Sequence, residues 1–291
     1  MKSAFRTVAL IGKYKSPETA GPLLELARFL ERRKVRVLID PLTAAQVKKA
    51  RLPVLSLDDL GREADLAVVI GGDGTMLNIA RTLAPHDVAL VGVNQGRLGF
   101  LTDVSVENMI GTIGTILDGK YVTENRMLLE GRVRSGTKKV SAVLAFNDVV
   151  VSKGAQGNMV ELEVRINGEF IYNQRSDGLI VATPTGSTAY AMSAGGPIVH
   201  PALTVMALVP VSPHTLSNRP IAVAETTTLE IAVKRGADAR LHFDGQPQFD
   251  LSEGDRVEIR RAEHAAKLVH PPGYSYYAML REKLRWSESL F

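Results

Sequence analysis

Apolar and polar positions along this chain fall into two regimes, with the change near residue 125. In the first, short uncharged runs alternate with stretches of helical spacing. Val8-Ala9-Leu10-Ile11, Val35 to Ile39, Leu66-Ala67-Val68-Val69-Ile70 and Val88 to Val93 are brief, apolar and rich in β-branched residues, the pattern of strands buried on both faces. Between them, Leu23, Leu26, Ala27 and Leu30 make the stripe of a helix that Pro22 opens and that runs to about Lys34. Met76, Ile79, Ala80 and Leu83 make a second stripe, and a third helix is expected from about Val106 to Leu117. A short helix near Ala44–Ala50 is expected inside an otherwise undefined segment that reaches Asp65. Strands and helices alternating through short connections predict a parallel sheet covered on both faces.

From Asn125 the period changes to two. Met127–Val133, Val140–Val151, Val160–Ile166, Phe170–Tyr172, Leu229–Lys234, Arg240–Phe243 and Arg256–Arg260 read as strands. Val160 to Ile166 alternates strictly, and Asn167-Gly168 after it is a favoured two-residue hairpin turn. The tail returns to helical spacing, with Tyr276, Leu280 and Leu284 at i, i+4, i+8. The expected fold is therefore an α/β N-terminal domain with a Rossmann-like parallel sheet, residues 1–124, and a mainly antiparallel β domain, residues 125–270. The helical tail, residues 271–291, is expected to pack back on the first domain.

Composition narrows the classes of function. The chain holds no cysteine, which excludes disulfide frameworks, zinc-thiolate sites and thiol nucleophiles, and with no signal-like N-terminus points to the cytoplasm. A net charge of +4 suits an anionic ligand, but no Lys/Arg block resembles a nucleic-acid patch. Gly178 to Asn218 carries no Asp, Glu, Lys or Arg, yet five prolines interrupt it, so it is no membrane span. Such a run is expected to line an interior or a ligand cleft. The six histidines are scattered without ligand spacing, so no protein-held transition metal is expected.

Four segments carry chemistry. Gly71-Gly72-Asp73-Gly74-Thr75 comes straight off a buried strand and opens a helix. Its glycines leave backbone N–H groups accessible to a phosphate chain, and the helix N-terminus favours negative charge. Asp73 in that turn is electrostatically costly unless it binds Mg²⁺, takes up a proton or grips a hydroxyl, which hints at phosphoryl transfer. Asn147-Asp148 sets an amide beside a carboxylate, a pair suited to a ribose or an amide; neighbours on a regular strand point apart, so a strand end or bulge is required. Asp177-Gly178 through Thr183-Pro184-Thr185-Gly186-Ser187-Thr188-Ala189-Tyr190-Ala191-Met192-Ser193 is dense in hydroxyls and small residues. Thr185 or Ser187 is expected to cap a helix starting near Thr188, and Tyr190 offers an aromatic face to a flat ring. Phe243-Asp244-Gly245-Gln246 reads as a turn at a strand end. Neither a G-x-x-x-x-G-K-[ST] phosphate loop nor a G-x-S-x-G elbow occurs.

In their order, these segments resemble the NAD kinases. Asn94-x-Gly96-x-Leu98-Gly99-Phe100-Leu101-Thr102, Ser193-Ala194-Gly195-Gly196-Pro197 and the tail around His270-Pro271 and Tyr274-Ser275-Tyr276 resemble the bacterial branch. The resemblance spans residues 8 to about 286. It implies transfer of a phosphoryl group from ATP, or in some members polyphosphate, to the 2′-hydroxyl of the adenosine ribose of NAD. Asp73 would be the general base, with Gly71, Gly72 and Gly74 and Mg²⁺ holding the donor phosphates. Asn147 and Asp148 would grip the substrate's sugar and adenine, although many bacterial members carry Asn-Glu there. Asp177 and Thr188, Ala189, Tyr190, Ala191, Met192 and Ser193 would line the dinucleotide site, joined by Asn158, Arg175 and Gln246. The partners implied are NAD, ATP and further copies of the chain in a homodimer or homotetramer, with no nucleic acid and no membrane. A lipid or sugar kinase on the same Gly-Gly-Asp-Gly scaffold and a non-catalytic NADP(H)-binding sensor remain as alternatives.

Overall fold

The computed structural model describes residues 3–47, 51–96, 98–135, 138–139, 142–154, 158–215, 217–236 and 238–286. It divides into two compact units, Met1–Asn125 with Ala266–Phe291, and Arg126–Ala265.

The first unit is built on β1 (Thr7–Gly12), α1 (Ala20–Arg32), β2 (Arg36–Ile39), α2 (Pro41–Gln46), α3 (Leu57–Glu63), β3 (Leu66–Ile70), α4 (Asp73–Leu83), β4 (Ala89–Asn94), β5 (Val104–Ser105) and α5 (Met109–Leu117). Its sheet is parallel throughout: β1 pairs with β2 and β3, β3 with β4, and β4 with β5. β3 is buried at every position, which explains its unbroken apolar sequence. Val8, Leu10, Leu66, Val68, Ile70 and Val91 share one face and pack with the stripes of α1 and α5. Met76, Ile79, Ala80 and Leu83 of α4 are buried outside that cluster, where α4 meets α3.

Several local signals resolve differently from the expectation. α1 begins at Ala20 behind a 3₁₀ turn at Pro17–Thr19, so Pro22 lies inside its first turn and does not open it. α2 starts earlier than expected because Asp40 caps it, accepting from the N–H groups of Leu42 and Thr43. Lys48–Ala50, the end assigned to that helix, lie outside the described residues. α3, unexpected from its polar sequence, is capped by Ser56 accepting from Asp59, with Leu60 as its buried anchor.

The second unit comprises β6 (Val122–Ser135, from Arg126 onward), β7 (Lys138–Lys139), β8 (Val143–Ala145), β9 (Asp148–Ser152), β10 (Val160–Ile166), β11 (Glu169–Ser176), β12 (Gly178–Ala182), α6 (Tyr190–Ser193), β13 (Val205–Val211), β14 (Ile221–Ala224), β15 (Leu229–Arg235), β16 (Ala239–Phe243), β17 (Gln246–Leu251) and the start of β18 (Arg256–His270). Val140, expected to begin a strand, is outside the described residues. One antiparallel sheet has the order β14-β13-β12-β9-β16-β17. A second is formed by β11, β10, β15 and the first residues of β18. Val149, Val151, Leu179, Val181, Leu208 and Leu241 of one sheet pack against Leu162, Val164, Ile231, Val233, Val257 and Ile259 of the other, a sandwich core. On the opposite face of the six-stranded sheet, Val150, Ile180 and Val209 are covered by Ala191 of α6. The uncharged stretch is thus explained: β12 and β13 are neighbours inside that sheet, and β12 is wholly buried. The final residues of β18 return to the first unit, where Lys267 and Leu268 pair parallel with Ala89 and Leu90. α7 (Tyr276–Leu284), capped by Ser275 and anchored by Tyr276, Met279 and Leu280, belongs to that unit too.

Candidate functional site

In the first unit the chemistry gathers where β3 and β4 end, the edge at which open parallel sheets place their ligands. The Gly71 N–H donates to Val93 O at 2.8 Å, which docks the turn on β4. Gly72 is the N-cap of α4 and offers no side-chain acceptor, so Asp73 becomes the first helical residue. Around Gly72 and Gly74 nothing lies within 4 Å of where a Cβ would stand, so this face of the turn is bare. The Asp73 carboxylate is spoken for. Its Oδ2 accepts from Phe100 N–H at 2.8 Å, and its Oδ1 from Leu101 N–H at 3.0 Å and the Thr102 hydroxyl at 3.3 Å. These donors absorb the negative charge that looked costly in an anion-binding turn. A carboxylate has about four lone-pair positions, so three donors leave one for a substrate hydroxyl.

The loop supplying those donors is held by Asn94 at the end of β4. Its Nδ2 donates to Thr102 O at 3.2 Å and Val104 O at 3.1 Å, folding residues 98–102 back toward α4. Gly99 is required there: a Cβ on it would stand 2.1 Å from Asp73 Oδ1 and 2.2 Å from Thr102 Oγ1.

In the second unit, Asn147 and Asp148 do lie at an interruption. β8 ends at Ala145 and β9 begins at Asp148, so the pair escapes strict strand alternation. What holds the interruption open is Asp244, in a turn that sequence reasoning left as ordinary. Asp244 and Gly245 have φ of 49° and 74°, the two positive values of a type I′ hairpin. The Asp244 carboxylate accepts from the backbone N–H groups of Phe146 at 3.0 Å, Asn147 at 2.7 Å and Asp148 at 3.2 Å. In return, the Asp244 N–H donates to Asp148 O at 3.0 Å. Asp148 itself is 3% exposed, and burial, reinforced by the charge of Asp244, pushes its carboxyl up to about 7.

Thr183 closes the cluster. Its hydroxyl donates to Phe146 O at 2.7 Å and accepts from Gly186 N–H, while its own N–H donates to Asn147 O at 2.8 Å. A Cβ at Gly186 would fall 2.1 Å from Asn147 O, so only glycine lets this turn lie on the Asn147 backbone. The expected side-chain cap at Thr185 or Ser187 is absent. Residues Gly186–Thr188 form a 3₁₀ turn and α6 is a single turn starting at Tyr190, because the Ser187 hydroxyl is spent on Pro184 O and on the Val199 N–H. Tyr190 is 46% exposed and Ala191 fully buried; Thr188, Ala189 and Met192 are half-buried and Ser193 exposed.

Of the remaining expected residues, Asp177 follows β11 and pairs with Lys153 at 2.8 Å. Arg175, exposed on β11, stands across the ladder from Glu161 and lines a cavity of about 490 Å³ together with Asn158, Arg235 and Glu253. Gln246 is exposed at the start of β17, next to the Asp244-Gly245 turn. Thus Asn147, Asp148 and the Thr183–Gly186 turn come together beside Asp244, with Ala191 of α6 over Val150, Ile180 and Val209, while Asn158 and Arg175 share a cavity of their own. Asp244 and Thr183 were missed as organisers. The only signal available was an Asp preceding Gly in a hairpin, which reads equally as turn chemistry.

Comparison with known proteins gives matches over both units. Residues 8–121 match the family model of the ATP-NAD kinase N-terminal domain, and residues 146–271 that of the ATP-NAD kinase C-terminal domain. An NAD kinase of Nitrosospira multiformis is 58% identical over 287 residues, covering 99% of this chain and 98% of that protein. One from Nitrosomonas eutropha is 55% identical over 286 residues, covering 98% and 97%. Among solved structures, yeast NADH kinase complexed with NADH aligns at a TM-score of 0.90 and 25% identity, covering 98% of this chain and 89% of that one. An NAD kinase from Archaeoglobus fulgidus in complex with ATP aligns at 0.74 and 27% identity, covering 96% and 98%.

Proposed function

The chain belongs to the NAD kinase family, and we propose that Asp73 is the general base of its phosphoryl transfer, accepting the proton of the 2′-hydroxyl of the adenosine ribose of NAD. The observation that carries this reading is the carboxylate held by Phe100, Leu101 and Thr102, with one acceptor position left, at the mouth of a bare glycine turn. Phosphoryl transfer needs positioning and charge neutralisation more than covalent chemistry. The backbone of Gly71, Gly72 and Gly74 at the start of α4 is suited to the donor's phosphates. Mg²⁺ is inferred as the companion of those phosphates, on the chemistry of phosphoryl donors. When bound it would neutralise charge on the transferring group.

Asn147 and Asp148 are suited to the sugar and adenine of NAD, because Asp244 and Thr183 fix their backbone while Asn147 is only half-buried. Tyr190 offers its exposed ring, and Thr188, Ala189, Ala191, Met192 and Ser193 a surface of small groups, to the rest of the dinucleotide. On the resemblance to the family, Asp177 and Gln246 join the set, and Asn158 and Arg175 contribute from the cavity they share. The similarity of the whole chain to NAD kinases lends no support to a lipid or sugar kinase or to a non-catalytic sensor. We further infer a cytoplasmic homodimer or homotetramer, on the family's usual assembly and the absence of cysteine. Among the described residues no helix is long and apolar enough to cross a membrane.

The test is a panel of donors (ATP, polyphosphate) and acceptors (NAD, NADH, a diacylglycerol, a hexose) with Mg²⁺, read as labelled product. NADP from NAD and ATP is expected. Label transferred only to the lipid or the sugar would overturn the reading.

A further inference from the structure

The loop that aims Asp73 is tied at a second point, by a residue far along the chain. Asp103 follows Thr102 directly, and its Oδ2 lies 2.8 Å from Nδ1 of His270, the last residue of β18. His270 is 2% exposed. Its other ring nitrogen faces Glu124 Oε2 at 3.6 Å, and its ring stacks on Tyr274 with centroids 3.8 Å apart and planes 9° from parallel. All four residues belong to the first unit. The groups facing the imidazole are therefore two carboxylates, from the Asp103 loop and from the start of β6, and one phenol ring.

A neutral imidazole has one N–H and one lone pair, so one carboxylate would confront the lone pair; the imidazolium presents a donor to each. Burial works against the charge, but the hydrogen bond to Asp103 and the negative charges of Asp103 and the nearby Glu124 outweigh it and raise the pKa above that of a free histidine; Nε2, buried and without a hydrogen-bond partner, faces Glu124 as an ion-pair contact.

We propose that His270, as an imidazolium strut between Asp103 and Glu124, is a positioning residue for Asp73, holding residues 100–102 so that their N–H groups fix the orientation of the base. This rests on the reading of Asp73 as base. Asp103 is one residue from Thr102 and three from Phe100, so slack at Asp103 passes directly to the donors. Asn94 still holds Thr102 and Val104, so loss of the strut loosens the loop without unfolding it. A displacement near 1 Å at a reacting group costs on the order of 10²-fold in rate. The strut is complete below the pKa of a free histidine and is lost as pH rises through the raised value in the fold.

The experiment measures kcat and KM for NAD between pH 5.5 and 9.5 in the wild type, His270→Gln, Asp103→Asn and the double variant. Alongside it, the imidazole titrations of the wild type are followed by NMR, with His270 assigned by its absence in the variant. Each single change is expected to lower kcat about 10- to 100-fold with KM for NAD within about threefold, the double variant being no worse than either. His270 should titrate above a free histidine, and an alkaline fall in kcat present in the wild type should vanish in His270→Gln. Strictly additive losses, unchanged kcat, or His270 titrating at or below the value of a free histidine would overturn the proposal. Where His270→Gln fails to fold, Asp103→Asn supplies the kinetics and also assigns His270, as the imidazole whose titration falls toward that of a free histidine. If Asp73→Asn keeps full turnover, the reading of the base fails whatever His270 does; if that variant is dead while His270→Gln is fully active, only the strut fails.

Discussion

Gly99→Ala separates the cost of folding from the cost of catalysis. A Cβ at residue 99 would stand 2.1 Å from Asp73 Oδ1 and 2.2 Å from Thr102 Oγ1, whereas ordinary contact needs about 3.4 Å or more. Something must move by about 1 Å. Both obstructing atoms are side-chain ends, so rotation relieves the clash without displacing backbone. Rotation, however, abandons the hydrogen bonds that Asp73 accepts from Leu101 and Thr102. Overpacking of this kind costs about 1–3 kcal/mol in stability, an effect a domain of this size tolerates. For the reaction, a base misplaced by about 1 Å is worth roughly 10²-fold, or about 2.7 kcal/mol of transition-state stabilisation. Initial rates of NADP formation at saturating NAD and ATP, set beside a urea melt, measure both. The expected variant is folded at room temperature and slower by about two orders of magnitude, with little change in KM for NAD. A kcat within threefold of the wild type would refute the argument that the 99–102 loop aims Asp73.

Gly186→Ala should behave in the opposite way, because the Cβ would meet Asn147 backbone atoms at 2.1, 2.5 and 2.7 Å, which cannot rotate aside. It should cost about 3 kcal/mol or more by urea denaturation and raise KM for NAD; unchanged stability would contradict the close approach. Asp148 gives a pH signature: its carboxyl is raised from 3.8 to about 7 by burial and by Asp244, so the folded state keeps a proton that the unfolded chain has released. Between those values stability falls as pH rises, by up to roughly 4 kcal/mol, and Asp148→Asn should flatten that part of the curve in urea melts from pH 4 to 8. Arg175→Ala should weaken the interaction with NAD more than with ATP, since Arg175 shares its cavity with Asn158; an unchanged KM for NAD would count against a role in binding.

The parallel sheet was legible because β1, β3 and β4 are apolar at nearly every position, a pattern that only burial on both faces produces. The sandwich was legible in part: β10 alternates cleanly, whereas β13 lies in a run of Pro and Thr whose strand character comes from being covered on both sides. α3 escaped notice because seven residues with one strong anchor, Leu60, carry too little periodicity. The glycine turn and the Asn147-Asp148 pair stood out by composition. Their supports did not, because backbone N–H groups of Phe100 and Leu101, or of Phe146, leave no mark on side-chain pattern. Asp244 and Thr183 act through long-range bonds to backbone, and neither partner is visible until the chain has folded.

The central claim is that Asp73 is the base and not merely part of the nucleotide cradle. Its most direct test is Asp73→Asn, with NAD affinity measured by calorimetry and turnover by NADP formation. Asn keeps one acceptor oxygen for the loop donors but cannot take up the hydroxyl proton. The account predicts NAD affinity within a few-fold of the wild type and turnover reduced by at least about 10²-fold. Turnover preserved alongside preserved binding would contradict it.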